Sequence, residues 1–309
     1  MPASAPPLKP RGRFAPSPTG PLHFGSLIAA LASYCDARAR GGEWLLRIED
    51  VDEPRSRSGA EDEILRTLAR YGFVWDGPVE RQSARWSRYQ AALETLIGNQ
   101  QAYPCGCTRR ELEAAPLGAG GERMYPGTCR AGIAGDRVHR RQRAWRVRVD
   151  DAPVRFTDRL QGPQSQDLSR DVGDFVVKRS DGLFAYQLAV VVDDAEQSIT
   201  DVVRGADLLA STPRQVHLQR LLGRPPHTYL HIPVAINASG SKLSKQTRAL
   251  ALPDDAIQPL VAAWHFLDQP MPRAHLADVA AFWRHALACW SPTRLPPVSM
   301  LPAPARFGG

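Results

Sequence analysis

The sequence predicts an α/β fold: a Rossmann-like, doubly wound parallel sheet with a metal-bearing insertion and a short C-terminal helical segment. Three observations lead there. Short apolar runs alternate with segments of helical periodicity through residues 11–97. The alternation breaks between residues 101 and 180, where Cys, Gly and Arg cluster, and then resumes. Two helical patterns follow residue 253. The 309 residues are 43% hydrophobic and 23% charged, which suits a soluble chain with a real core and excludes a disordered or fibrous one.

Taken in order, residues 1–12 read as a flexible Pro-rich tail, with a short strand at 11–15 opening the first half of the catalytic domain, 13–100. Residues 24–40 are Ala- and Leu-rich at helical spacing and end at Gly41-Gly42. A strand is expected at 44–48. A helix with acids in its first turn is expected at 58–71, and another at 84–97. The insertion spans 101–183, with a strand at 144–149. The second half, 184–252, holds strands at 184–192, 199–204 and 229–236 and a helix at 213–222. Residues 253–290 form a helical segment with helices at 256–267 and 275–290, and 291–309 form a Pro-rich tail expected to be extended or disordered. No run of 18 apolar residues and no secretory h-region occurs, so neither a membrane span nor a secretory signal is expected. A cytoplasmic monomer is the expectation.

Charge narrows the function. The chain carries a net +7, from 39 cationic and 32 acidic residues. Residues 109–159 hold twelve Arg, no Lys and seven acids. A patch of this kind suits a polyanion such as RNA, because neutralised phosphates release counterions. Lys is scarce throughout: Lys9, Lys178, Lys242 and Lys245 only, two of them in one Gly/Ser loop.

Three constellations carry chemistry. Pro16-Ser17-Pro18-Thr19-Gly20-Pro21-Leu22-His23-Phe24-Gly25-Ser26 lies between an expected strand and an expected helix. That is where open α/β sheets hold nucleotide phosphates, near a helix N-terminus. Gly25 permits close approach and the His23 imidazole can donate to a phosphate oxygen. Ser241-Lys242-Leu243-Ser244-Lys245 offers two ammonium groups for charge developing on a triphosphate. Cys105, Cys107 and Cys129 fall within 25 residues, a grouping that in a reducing compartment indicates metal. Zinc takes four ligands in structural sites, and spacing alone nominates His139 as the fourth.

The first two strings resemble the signature pair of the class I aminoacyl-tRNA synthetases. The stretch Phe14-Ala15-Pro16-Ser17-Pro18-Thr19-Gly20 is similar to the glutamate branch. So are Arg47-Ile48-Glu49-Asp50, Tyr186-Gln187-Leu188-Ala189-Val190-Val191-Val192-Asp193-Asp194, Val203-Arg204-Gly205-Ala206-Asp207 and Ser211-Thr212-Pro213-Arg214-Gln215. Ser26 stands at a second His position, and Leu243 and Gln246 replace Met and Ser in the lysine loop. The resemblance implies a pocket for glutamate formed by Arg13, Phe14, Ala15, Pro16, Ser17, Glu49, Tyr186 and Arg204. It implies ATP binding by His23, Gly25 and Lys245, with His23, Lys245 and Lys242 acting on the phosphates and Mg²⁺ accompanying ATP. Glutamate carries two carboxylates and one ammonium, and two Arg with one Glu complement it. It also implies a zinc ion held by Cys105, Cys107, Tyr125 and Cys129, with Tyr125 rather than His139. Branch members carry Asn two residues before the Val-Asp-Asp. Val190 stands there, so a looser pocket is expected.

About 57 residues follow the second half, which ends at 252 after the lysine loop, and this resembles truncated relatives of the glutamate branch, the glutamyl-Q tRNA(Asp) synthetases, more than a full glutamyl-tRNA synthetase. The implied activity is tRNA-independent activation of L-glutamate with ATP, then transfer to queuosine at the wobble position of tRNA(Asp). The alternatives are a truncated synthetase charging a tRNA 3′ end and a silent tRNA-binding paralogue.

Overall fold

The computed structural model describes residues 9–52, 56–118, 121–243, 249–272 and 276–307. The chain opens with β1 (Arg11–Phe14), α1 (Phe24–Arg38), β2 (Glu43–Ile48), α2 (Ala60–Arg70), β3 (Glu80–Arg81) and α3 (Trp86–Gly98). The three strands pair in parallel in the order β1-β2-β3. Helix α1 is buried on most of its faces, as its Ala- and Leu-rich sequence requires. It must turn at once into β2, and Gly42 allows this: a Cβ there would lie 2.1 Å from the Pro10 carbonyl oxygen.

The insertion divides in two. Within it run β4 (Ala102–Cys105), α4 (Arg109–Leu112), β5 (Ala144–Val147), β6 (Val154–Asp158), β7 (Gly162–Gln166), α5 (Leu168–Asp171) and β8 (Phe175–Lys178). Strands β4, β5 and β8 form a separate antiparallel sheet. The β6–β7 hairpin instead returns to the main fold, where β6 pairs in parallel with a later strand at Tyr229 and Asp158. Residues 101–183 are therefore not one detached unit.

The second half comprises α6 (Tyr186–Glu196), β9 (Asp201–Gly205), α7 (Thr212–Leu221), β10 (Thr228–Ile232), β11 (Val234–Ile236), α8 (Ile257–Phe266), α9 (Val279–Cys289) and β12 (Met300–Pro302). Its sheet runs β7-β6-β10-β9, with β9 and β10 parallel. The halves meet where the Thr200 N–H donates to the Arg11 carbonyl at 2.9 Å and the Arg11 N–H to Thr200 Oγ1 at 2.8 Å. Parallel strands with helical crossovers bear out the α/β expectation.

Three expectations about elements need correction. Of residues 184–192, expected as a strand, 186–192 belong to helix α6. A continuous apolar run buried on all sides has no period that separates strand from helix, and packing between α3 and α7 decides it. Residues 229–236 form two strands, because Pro233 lacks an N–H and breaks the ladder. The tail from 291 is docked rather than disordered: β12 pairs in parallel with β11, and Phe307 stacks on Phe24 with centroids 4.3 Å apart. At the other end, Arg11 and Gly12 already lie in β1, while residues 1–8 are outside the described residues. The 275–290 helix begins at Val279.

One large core surrounds α1 and includes Trp44, Leu260, Trp264, Phe282 and Phe307. A second lies among α3, α6 and β8, and a small third one around the clustered Cys. Among the described residues no helix is long and apolar enough to cross a membrane. Because Phe307 is buried against Phe24, Phe307→Ala is expected to lower stability by about 2–4 kcal/mol in a denaturant melt. Arg306→Ala, on an exposed neighbour, is expected to cost under about 1 kcal/mol; equal effects of the two would contradict docking.

Candidate functional site

Parallel α/β sheets place ligands beyond the C-terminal ends of their strands, where the strand order reverses. A cavity of about 380 Å³ lies at this switch point, between the ends of β1 and β9. Its walls include Arg13 to Ser17 after β1, His23 and Gly25 at the start of α1, Glu49 after β2, Tyr186 on α6, Arg204 on β9, and Lys242. Every described residue expected to bind glutamate or ATP therefore reaches one cavity. Lys245 is outside the described residues.

One end of the cavity is built from the start of α1. His23 is the N-cap, and its Nδ1 accepts the Ser26 N–H at 3.3 Å. With Nδ1 occupied as acceptor, the neutral imidazole carries its proton on Nε2 and can donate there. Ser26 thus does structural work, closing a capping box onto His23. A Cβ at Gly25 would sit 3.2 Å from the His23 ring, so glycine keeps this corner open. The first turn of α1 holds no acid, which leaves its positive dipole end available to an anion. Lys242 bridges to β11 at Ile236 and its ammonium is hydrogen-bonded to the Asp207 carboxylate.

The other end holds buried charge. Arg13 Nε lies 3.2 Å from Asp194 Oδ1, and Arg47 Nη2 lies 2.8 Å from the same oxygen. Arg47 Nη2 also reaches Glu49 Oε1 at 3.3 Å. Burial works against ionising Asp194, but Arg13 and Arg47 outweigh it and hold the carboxyl well below the usual range. Glu49 is the reverse case: burial pushes its carboxyl up, against the pull of Arg47 and Arg13. Burial also raises the Tyr186 phenol, which stays a neutral donor.

Among the described residues Arg204, unlike Arg13, has no carboxylate within ion-pair distance. Its Nε donates to His231 Nε2 at 3.0 Å, and its Nη2 to Thr212 Oγ1 at 2.9 Å and Gln215 Oε1 at 2.8 Å. Its Nη1 is buried without a hydrogen-bond partner. A buried cation with an orphaned N–H edge, on a cavity wall, is suited to an incoming anion.

Several of these residues had no assigned role in the sequence. Arg47, Asp193 and Asp194 stood inside quoted strings, and the signal that could have singled them out is a pair of carboxylates closing an apolar run. Asp193 accepts from Gln82 Nε2 at 2.9 Å, Arg85 Nε at 2.7 Å and Tyr89 Oη at 2.9 Å, tying α6 to α3. Nothing in the sequence marked His231. Val190, expected to loosen the pocket, is 1% exposed in the second core and is absent from the cavity wall, because α6 turns it away.

The Cys cluster lies apart from the cavity. The Sγ atoms of Cys105, Cys107 and Cys129 all lie within 4.8 Å of one another. Tyr125 Oη is 3.4 Å from Cys105 Sγ and 3.9 Å from Cys107 Sγ, and Cys107 and Cys129 are 3.7 Å apart. Tetrahedral ligands at zinc–sulfur distances would be separated by about 3.8 Å, so the donor set fits such an ion. His139 is exposed at the end of a 3-10 turn and does not join this cluster. The Arg146 guanidinium lies over the Tyr125 ring at 3.7 Å and donates to Cys105 Sγ at 3.4 Å.

Comparison with known proteins agrees with this geometry. Residues 9–272 match the family described as tRNA synthetases class I (E and Q), catalytic domain. The chain is 56% identical over 299 residues to the glutamyl-Q tRNA(Asp) synthetase of Dechloromonas aromatica, covering 96% of this chain and 98% of that one. It is 62% identical over 243 residues to the enzyme of that name from Thiobacillus denitrificans, covering 79% and 80%. A crystal structure of glutamate-tRNA synthetase from Elizabethkingia anophelis superposes with a TM-score of 0.75 at 26% identity, covering 96% of this chain and 68% of that one. The chain belongs to the class I tRNA synthetases of the E and Q type, and within them to the glutamyl-Q tRNA(Asp) synthetases.

Proposed function

We propose that this chain activates L-glutamate with ATP, without needing tRNA, and transfers the glutamyl group to queuosine at the wobble position of the tRNA(Asp) anticodon. The observation that carries the reading is the single cavity with Arg13, Arg204 and Glu49 at one end and His23, Gly25 and Lys242 at the other. Two guanidinium groups and one carboxylate complement the two carboxylates and one ammonium of glutamate. Arg204 supplies the less compensated positive charge, since Asp194 already faces Arg13.

The α-carboxylate of glutamate attacks the α-phosphorus of ATP, forming the carboxyl–phosphorus bond as the bond to pyrophosphate breaks. No general base is needed, because the nucleophile is already ionised at neutral pH. The protein positions the reactants and stabilises charge. His23 Nε2 and the N-terminus of α1 face the phosphates, and Lys242 and Lys245 neutralise the departing pyrophosphate. Mg²⁺ entering with ATP would offset further phosphate charge. In the second step a hydroxyl of the queuosine diol attacks the acyl carbon and AMP leaves. The Arg-rich insertion offers the cationic surface for the tRNA. Cys105, Cys107, Tyr125 and Cys129 would hold one structural zinc ion, stiffening the loops that the small third core covers.

Pyrophosphate exchange is expected with glutamate and ATP alone, and transfer to tRNA(Asp) only when queuosine is present. Charging of an unmodified transcript would instead support acceptance at the tRNA 3′ end, and no exchange under any condition would sink the reading.

The glutamate KM is expected to rise as pH falls from neutral, because protonating Glu49 removes the charge that meets the substrate ammonium. Glu49→Gln is expected to raise that KM about 10–100-fold and to flatten its pH dependence. A variant that keeps the slope would place the titration elsewhere.

Metal analysis of the purified protein is expected to give about one zinc per chain, falling towards zero in Cys129→Ser. Unchanged zinc in that variant would refute the ligand set.

A further inference from the structure

His231 is fully buried and links the hairpin that returns from the insertion to the second half. Its Nδ1 lies 2.6 Å from Asp158 Oδ2, and its Nε2 lies 3.0 Å from Arg204 Nε. Burial lowers the imidazole's affinity for a second proton, against the pull of Asp158. The neutral ring then carries its proton on Nδ1, facing the carboxylate, and presents a lone pair to Arg204. Asp158 is itself fixed, accepting the N–H groups of Leu160 at 3.0 Å, Gln161 at 2.9 Å and His231 at 3.1 Å. Gln215, which holds the opposite edge of Arg204, is oriented by its own bond to Gln187 Oε1 at 2.9 Å.

We propose that His231, held by Asp158, is a positioning residue for Arg204 that fixes the guanidinium in the cavity wall, where it meets a substrate carboxylate. Two features favour this over simple core filling. The nearest neighbours of Arg204 (His231, Thr212 and Gln215) are all neutral, so they fix its direction without cancelling its charge. The negative charge of Asp158 stands one imidazole further away, where it sets the tautomer rather than capturing the guanidinium. A carboxylate in the place of His231 would pair with Arg204 and leave less charge for the ligand. Asp158 belongs to β6, so the hairpin that returns from the insertion helps to shape the amino-acid end of the cavity.

The inference rests on the glutamate reading above, and steady-state pyrophosphate exchange separates the two. His231→Leu is expected to raise the glutamate KM at least tenfold while the ATP KM stays within twofold. His231→Gln is expected to recover part of that loss, because its amide oxygen can accept from Arg204 Nε. In an Arg204→Gln background, His231→Leu is expected to add little. If His231→Leu does not fold, Asp158→Asn serves as the second variant, with a several-fold rise in glutamate KM alone. Glutamate and ATP KM rising together, full additivity in the double variant, or an unchanged glutamate KM in a folded Asp158→Asn would overturn the relay. A wild-type protein with no glutamate-dependent exchange would overturn the substrate reading itself, and the relay with it.

Discussion

The buried Asp194 carboxylate is the contact on which the arrangement depends. It sits near the end of α6 and faces Arg13 from β1 and Arg47 from β2, so two neighbouring strands of the first half and a helix of the second converge on one group. Desolvating a carboxylate and two guanidinium groups is costly, and such a cluster stabilises only when the geometry is complete. Removing one member leaves uncompensated buried charge, at a cost of about 3–5 kcal/mol. Because its carboxyl is held low, the contribution of Asp194 is present above the ordinary carboxylate range and is lost only in strong acid. The cluster also sets the cavity's balance: Arg13 is partly neutralised, Glu49 is left short of positive partners, and Arg204 stands outside the pair.

On the reading proposed above, that division lets one small cavity favour a dicarboxylate. A site with two fully compensated arginines would bind a dicarboxylate weakly, and a site with two uncompensated ones would be hard to fold. Here one guanidinium is committed to holding the sheet and helix together, while the other is held by neutral acceptors and keeps most of its charge. The end lined by His23 and Gly25 follows a different principle. There a helix N-terminus, a capped imidazole and a close-packed glycine present donors without burying net charge.

Much of this was legible in the residues, and the reasons for the rest are physical. Helix α1 and strand β2 follow from apolar periodicity and the Gly41-Gly42 stop. Residues 184–192 did not read correctly, since a Val-rich run buried on every side looks the same as strand or helix. The tail was hidden by its Pro content, although Phe307 was the one aromatic there able to anchor it. The motif residues of the cavity were legible because they come in strings. His231 and Asp158 were not, because they stand 73 positions apart and meet only through the pairing of β10 with β6. Spacing also cannot show which of Tyr125 and His139 turns toward the Cys cluster; Tyr125 Oη lies 3.4 Å from Cys105 Sγ, while His139 is exposed.

The docked C-terminal residues add a last mechanical point. Strand β11 leads directly into the loop that carries Lys242, and β12 is its only hydrogen-bonded strand partner among the described residues. The Val234 N–H donates to the Ser299 carbonyl at 3.0 Å and the Ala303 N–H to the Ile236 carbonyl at 2.8 Å, so residues 299–303 grip both ends of β11. Phe307 then closes over Phe24, next to the histidine that caps α1. The root of the lysine loop and the start of the phosphate-facing helix are thereby braced by the same short segment. Bracing both by one segment keeps Lys242, just beyond β11, in register with His23 and Gly25 on the opposite side of the cavity.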